Sequence, residues 1–485
     1  MNSGAGQSRS CPGGRAVQAE PITRGLRKAA PRPDLFEVAH LSDPWEAMTA
    51  ELKPPMSHQD AFLEAYRCLL CGGPLTPAPC MLACPAKVDV PGFIGAISVG
   101  QAIEAAEIIL DANPLGGTCA RVCPTEELCE GACVLHSTHQ RPVDIGRLQR
   151  YAIDQAFKDG DLLVPERPQH NGMRVAVIGA GPAGLTGAFE LAKHGYKVTL
   201  FDSRVGTGGL VRAAIAPYRQ LTEPLDQETA RLWELGVEFR LGTTVDSSLR
   251  KELESSYDAI LLAIGMGEDA TTGCEGNHLK GIFSSLPFIE KIKLSDLPDV
   301  KKKVAVIGAG NTAMDVAREA VRLGAGEVTV LYRRSEKEMP AFPVEFDEAV
   351  QEGVRFAWLS SPVRYEGNGR VNAVRCLKMK LGDPDSSGRR KPVPVDGSEF
   401  LLEVDTVIEA IGQLPRKDFL SGIPGIELRS GLIDVNPETG ATGNPLYFAA
   451  GDALNGGATV VEAVRMGKVA AAGIDARLSE QGRAK

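Results

Sequence analysis

"MRVAVIGAGPAGLTGAFELAKHGYKVTLFD", Met173–Asp202, reads as strand, glycine turn, helix and strand, and it decides the fold. Gly179, Gly181 and Gly184 form G-x-G-x-x-G, with Ala180, Pro182 and Ala183 between them. The first glycine makes a tight turn, the second lets backbone approach a pyrophosphate, and the third lets helix pack on strand. The helix N-terminus then presents its partial positive charge to phosphate. Asp202 stands 18 residues past Gly184, at the end of the second strand, where a carboxylate meets a ribose hydroxyl.

The same grammar returns in "KKVAVIGAGNTAMDVAREAVRLGAGEVTVLYRR" (302–334). Two βαβ units imply two dinucleotide sites. The second carries Gly308, Gly310, Asn311 and Thr312, with Ala313 in place of the third glycine. No acid closes its second strand; Arg333 and Arg334 stand there instead. Arginines suit the 2′-phosphate of NADP and an acid suits the 2′-hydroxyl of NAD, so NADPH is expected, with NADH as the alternative.

The last stretch, "NPLYFAAGDALNGGATVVEAVRMGKVAAAGI" (444–474), is strand, Gly451-Asp452 turn and helix, with no third βαβ unit. The chain therefore leaves the first nucleotide domain near residue 300, builds the second, and returns near Thr406 at "TVIEAIGQLP". The returning segment suits closure over a flavin, which puts FAD in the first site and NADPH in the second. No C-x-x-C lies in either domain, where Cys274 and Cys376 are isolated, so dithiol chemistry is not expected.

Eight of the eleven cysteines fall between residues 68 and 133. Cys68, Cys71, Cys80 and Cys84 precede Pro85 in the pattern C-x2-C-x8-C-x3-C-P; Cys119, Cys123, Cys129 and Cys133 follow. Such crowding outside a secreted context points to metal, and thiolates bind iron–sulfur clusters or zinc. Two [4Fe–4S] clusters need about eight ligands, and a C-P ending is a ferredoxin feature. Beside a flavin and a nicotinamide site, clusters are favoured over zinc, because a flavin converts a hydride into single electrons.

With 485 residues, several domains are expected. A net charge of −9 and 5% aromatic content argue against a nucleic-acid surface. No apolar run reaches the ~20 residues that span a bilayer, and the start lacks a signal-peptide pattern. The expected location is cytoplasmic. Residues 1–55 are expected to be disordered or extended, 56–170 a helical cluster domain, 171–300 and 406–485 the two parts of the FAD domain, and 301–405 the NAD(P)H domain. "FIGAISVGQAIEAAEIILDANP" (93–114) has helical apolar spacing and stops at Pro114.

"PCMLACPAKVDVPGFI", "ARVCPTEELCEGACV", "PVDIGRLQRYAID" and "GATVVEAVRMGK", with the two glycine motifs, resemble the electron-input module shared by the glutamate synthase small subunit and dihydropyrimidine dehydrogenase. The resemblance covers roughly residues 56–480. It implies an α/β protein: an N-terminal α-helical Fe–S domain, then two Rossmann-like domains, the second inserted in the first. It also implies FAD and two [4Fe–4S] clusters. One cluster would take Cys68, Cys71, Cys80 and Cys133; the other Cys84, Cys123, Cys129 and Gln149, leaving Cys119 spare. Thiolate chemistry alone selects Cys119 over Gln149. The x8 gap between Cys71 and Cys80 departs from the x4 usual in the family. By the same resemblance Gly209, Leu210 and Arg219 line the FAD, Ala410, Ile411 and Gly412 lie near both rings, and Thr459, Val460 and Val461 cap the flavin's pyrimidine end.

The leading expectation is an oxidoreductase that feeds electrons to an FMN-containing catalytic subunit for pyrimidine reduction, as Gln149 leans to the dihydropyrimidine dehydrogenase side. The second is the same module serving glutamate synthase. The third is a redox-regulated binding protein with no partner enzyme.

Overall fold

A computed structural model describes residues 44–483 other than Leu52, Pro74, Leu75, Asp159, Asp161, Ser386 and Ser387. The expected N-terminal extension lies outside the described residues as far as residue 43. Beyond that point the expectation fails. Pro44–Thr49 is a helix, and Met48 is fully buried in the core of the second nucleotide domain. Arg322 holds it there through the carbonyls of Ala47 (3.0 Å) and Ala50 (3.2 Å).

The cysteine region is helical, with helices at His58–Ala65, Pro79–Ala83, Val90–Ser98, Ala102–Ala112, Gly116–Val122 and Ile145–Lys158. The stretch with helical spacing over 93–114 is divided between two of these helices. Gly100 (φ +82°) turns the chain between them, a conformation glycine adopts without steric penalty. Asp89 starts the first of the pair by accepting the Gly92 amide at 3.1 Å.

The first sheet contains β1 (Arg174–Ile178), β2 (Lys197–Asp202), β3 (Glu238–Leu241) and β4 (Ala259–Leu262). The second begins with β5 (Ile282–Ser284), β6 (Lys303–Ile307), β7 (Glu327–Tyr332) and β8 (Arg355–Trp358). An antiparallel excursion follows: β9 (Ser360–Gly367), β10 (Val371–Pro384), β11 (Arg390–Pro394) and β12 (Phe400–Glu403). Then come β13 (Thr406–Glu409), the short ribbon β14 (Leu428–Arg429) and β15 (Leu432–Ile433), and β16 (Tyr447–Ala449). The first sheet runs β16-β4-β1-β2-β3 and the second β5-β13-β6-β7-β8, all parallel.

The insertion is as expected, but its limits are wider than 301–405. β5 and β13 both pair within the second sheet. Thr406–Glu409 is buried at every residue, as a central parallel strand must be. The chain re-enters the first sheet only at β16. The two connectors between the sheets pair with each other: Gly267 N donates to Leu414 O (2.7 Å), Leu414 N to Glu268 O (2.9 Å) and Ala270 N to Gly412 O (2.8 Å).

The helical domain and the first nucleotide domain share one continuous apolar core. Phe93, Ile94, Leu110 and Ile153 belong to the same cluster as Leu185, Phe189, Leu200 and Val464. The cysteines are thus carried on a body fixed to the first glycine helix.

Candidate functional site

The two glycine turns are built alike to the level of single hydrogen bonds. Gly179 has φ +109°, and a Cβ there would meet the Ala263 carbonyl oxygen at 2.2 Å. Gly308 has φ +119°, and a Cβ there would meet the Ala410 carbonyl oxygen at 2.2 Å. Each turn is also clasped from above, by Gly208 N to Ala180 O (2.7 Å) and by Ala341 N to Ala309 O (3.2 Å). The second glycines face open space: nothing lies within 4 Å of a Cβ on Gly181, and only Pro340, at 4.0 Å, of one on Gly310. That is the room a pyrophosphate needs beside backbone amides. Gly181 and Gly310 each precede the first turn of a 12-residue helix, Pro182–Lys193 and Asn311–Arg322.

At the first site Asp202 accepts the amides of Ala180 (2.7 Å) and Arg204 (2.8 Å), one on each oxygen. Its remaining lone pairs stay available to hydroxyls. Gly209 (φ +55°) packs on Gly181, with a Cβ there 3.0 Å from the Gly181 Cα, and Leu210 starts the next helix. A Cβ on Gly451 would approach that of Ala183 at 2.9 Å, which brings the Gly451-Asp452 turn to the same glycine loop. Thr459 Oγ1 accepts the Glu462 amide (3.3 Å) as the helix of Val460 and Val461 begins. These residues, distant in sequence, fit a dinucleotide bearing a flavin.

Arg219 is committed elsewhere. Its guanidinium binds Asp315 (Nε, 2.7 Å) and Glu345 (Nη1, 2.7 Å), both in the second nucleotide domain. It is a domain-junction residue. At the second site the two arginines part ways. Arg334 is 5% exposed and gives Nη2 to Asp385 (2.6 Å) and Nε to the Arg390 carbonyl (2.9 Å), whereas Arg333 is exposed. Asn311 Oδ1 accepts the Phe342 amide at 2.9 Å and holds the 338–342 loop over the glycine turn, with Thr312 next in the helix. Ala410, Ile411 and Gly412 (φ +108°) follow β13 beside Gly308. Ala263-Ile264-Gly265 occupies the corresponding place at the first site and was missed in the sequence, although the repeated tripeptide was there to be read.

The cysteines fall into two groups. Cys68, Cys71, Cys80 and Cys133 line one cavity with Val90, Ile94 and Ile145, of about 370 Å³ including space open to solvent. Cys84, Cys119, Cys123 and Cys129 form the other group. Cys123 hydrogen-bonds to Cys119, and that bond together with burial pushes its thiol up, with Cys129 and Cys84 adding to the effect. Burial also raises Cys84, against the amides of Val88, Ala86 and Lys87 aimed at its sulfur. Burial brings Cys80 to about 11. Gln149 is buried, and its Nε2 donates at 2.7 Å to the carbonyl of Gly116, the first residue of the helix that carries Cys119. Among the described residues no three His, Cys, Asp or Glu side chains converge on one point as ligands of a single ion do. The donor set, soft sulfur in two groups on an apolar lining, fits clusters held at their corners.

Residues 173–467 match the family described as pyridine nucleotide-disulphide oxidoreductase, and residues 46–161 match dihydropyrimidine dehydrogenase domain II, 4Fe-4S cluster. The chain is 36% identical to the glutamate synthase [NADPH] small chain of Escherichia coli, over 87% of this chain and 93% of that one. It is 39% identical to the NADP(+)-dependent formate dehydrogenase subunit beta of Moorella thermoacetica, over 84% of this chain but only 61% of that relative's length. Among solved structures, Mycobacterium tuberculosis FprA in complex with NADPH aligns at a TM-score of 0.53 and 20% identity, over 64% of this chain and 85% of that one, a likeness of fold. The chain belongs to the pyridine nucleotide-disulphide oxidoreductase family, in the group that carries a dihydropyrimidine dehydrogenase-type 4Fe-4S domain and includes the glutamate synthase small chain. It is an NAD(P)H-dependent flavoprotein oxidoreductase. Its only cysteines within 173–467 are Cys274 and Cys376, so it carries the family's nucleotide folds without a C-x-x-C dithiol. Among the described residues no helix is long and apolar enough to cross a membrane.

Proposed function

We propose that this chain is the electron-input subunit of a larger oxidoreductase: NADPH binds the second dinucleotide fold, FAD the first, and two [4Fe–4S] clusters the helical domain. FAD supplies the exchange between two-electron and one-electron chemistry. The chain's own residues do the rest. The Gly179 and Gly308 turns bring backbone to phosphate, Asp202 takes ribose hydroxyls, and the Thr459 helix start faces the flavin. Arg333, exposed and without an ion pair among the described residues, meets the 2′-phosphate. The single observation that carries the reading is the shared core between the cysteine domain and the first glycine helix, which fixes thiolate ligands to a flavin-type fold.

The partner is read as an FMN-bearing catalytic subunit. Similarity over nearly the whole E. coli glutamate synthase small chain supports a partner of that kind ahead of the pyrimidine-reducing one that Gln149 favours. The test uses anaerobically purified full-length protein. NADPH should bleach its flavin in wild type and in Cys123→Ala alike. Delivery of electrons to a co-purified large subunit should collapse only in the variant. Full delivery by a variant that has lost a cluster would overturn the reading.

A further inference from the structure

The helical domain and both nucleotide domains meet at Tyr218-Arg219-Gln220. We propose that Gln220 is a positioning residue that couples occupancy of the second dinucleotide site to the cysteine-bearing helix Gly116–Val122. The inference rests on the reading that this site takes NADP(H).

The contacts run without a break. The helix Asn311–Arg322 starts at the Gly310 turn, where phosphate is to bind. Just past its first turn, Asp315 accepts the Tyr218 hydroxyl (2.6 Å) and Arg219 Nε (2.7 Å). Further along, Arg318 and Arg322 lie 4.8 and 4.2 Å from the centre of the Tyr218 ring. Glu352 holds both guanidinium groups, at 2.6 and 2.8 Å. Tyr218 and Arg219 therefore move with that helix. Lys293, from the neighbouring helix Ser285–Lys293, donates to the carbonyls of Val211 (3.1 Å), Ile215 (2.8 Å) and Gln220 (3.3 Å).

Gln220 is 1% exposed, and its Nε2 donates to Thr118 Oγ1 at 3.1 Å. The Thr118 hydroxyl in turn donates to Glu228 Oε2 (2.6 Å), while Glu228 Oε1 accepts the amides of Gly117 (2.7 Å) and Thr118 (3.0 Å). The next residue is Cys119, and Cys123 ends the helix. Gln220 Oε1 is buried without a partner among the described residues, a desolvation cost the fold bears to keep the amide in this orientation. Buried hydrogen bonds of this kind have few alternatives, so a shift of the nucleotide helix is felt at Gly117 and Thr118. Linkage makes the effect reciprocal.

Hydrogen exchange on the anaerobic full-length holoprotein, with and without NADP+, tests this. In wild type NADP+ should protect residues 310–316 and also slow exchange over 116–123 by about fivefold or more, the low end of ordinary coupling between sites. Gln220→Met should keep the protection at 310–316 and lose the response at 116–123. Lys293→Met, which removes the bond from the second nucleotide domain to the Gln220 carbonyl and leaves the Gln220–Thr118 bond in place, should weaken the response at 116–123 and decides the matter if Gln220→Met does not fold. Protection at 310–316 with no change at 116–123 in wild type would overturn the coupling alone, as would variants that keep the full response. Absence of protection at both segments would overturn the nucleotide reading with it.

Discussion

Arg334 Nη2 lies 2.6 Å from a carboxylate oxygen of Asp385, a bond that commits this arginine within the protein and leaves its neighbour Arg333 as the candidate for a 2′-phosphate. Asp385 follows β10 and Arg390 begins β11, so Arg334 fastens that hairpin to the end of β7. Arg333 is exposed.

Arg333→Ala should weaken NADPH binding by roughly 10–100-fold, the scale of about 1.5–3 kcal/mol for a charge-assisted bond, and leave NADH almost unchanged. Arg334→Ala should lower stability without altering the NADPH/NADH ratio. Titration of each variant with both nucleotides, beside thermal melts, checks this. Equal loss of preference in the two variants would mean that both arginines touch the phosphate.

Gly181 and Gly184 make a matched pair. A Cβ on Gly184 would stand 1.9 Å from the Gly179 carbonyl oxygen, against backbone that cannot yield, whereas Gly181 has room for one. Gly184→Ala should therefore fail to give soluble folded protein. Gly181→Ala should fold with an unchanged circular dichroism spectrum and retain little FAD, because its methyl fills the space the pyrophosphate needs. Stoichiometric FAD in Gly181→Ala would place the flavin elsewhere.

What was legible in the sequence was local. The glycine turns, Asp202 and the helices behind them follow from spacing over some 30 residues, and each is where the pattern puts it. What escaped depends on partners far along the chain. Arg334 is withdrawn by Asp385, 51 residues on, and Arg219 by Asp315 and Glu345, 96 and 126 residues on. Neither pairing leaves a mark near the arginine. Thr406–Glu409 read as a return to the first sheet because a buried parallel strand looks the same in either sheet; only its pairing with β5 and β6 settles it. The repeat of Ala-Ile-Gly at 263–265 and 410–412 was the available clue, since one such tripeptide closes each glycine turn. Met48 was lost for a related reason: a six-residue helix has little periodicity to show, and the core that buries it is made by residues 288–410.

Glu228 gives stability a defined pH dependence. Burial raises its carboxyl to about 7, against the bonds from Thr118 and Gly117 that lower it. In the unfolded chain it titrates near the ordinary glutamate value of about 4.3. Between these values the folded state holds a proton that the unfolded state has released. Stability therefore falls as pH rises through this window and levels off above it. The shift amounts to on the order of 3 kcal/mol. Glu228→Gln keeps the acceptor for both amides and offers Nε2 to Thr118 Oγ1, so it should fold and flatten that slope. Melting temperatures of wild type and variant from pH 5 to pH 8 check this; parallel curves would show that Glu228 does not titrate there.

On the two-cluster reading the eighth ligand is either Gln149 or Cys119, and their surroundings differ. Gln149 is buried, and its Nε2 is spent on the Gly116 carbonyl at 2.7 Å, which fixes the amide and leaves Oε1 as the atom that can bind iron. Cys119 is 3% exposed within the apolar core and hydrogen-bonds to Cys123 one turn on. Cys119 also lies close enough to Cys84 to raise that thiol, so its burial is what counts: a thiol packed into the apolar core suits a structural role, and an oxygen anchored through its own amide suits a ligand. Cys119→Ala should thus retain about eight irons per chain, the content of two [4Fe–4S] clusters, when the protein is made and kept without oxygen. Gln149→Leu, close in shape and lacking the oxygen, should fall towards about four, with the loss confined to the group of Cys84, Cys123 and Cys129. Cys84→Ala gives the benchmark, since Cys84 is a ligand under either assignment and its removal shows what loss of that cluster looks like in iron content and in the electron paramagnetic resonance of the reduced protein. If Cys119→Ala matches the benchmark and Gln149→Leu matches wild type, the thiolate is the ligand. The amide of Gln149 is then a brace for the Gly116 turn and nothing more.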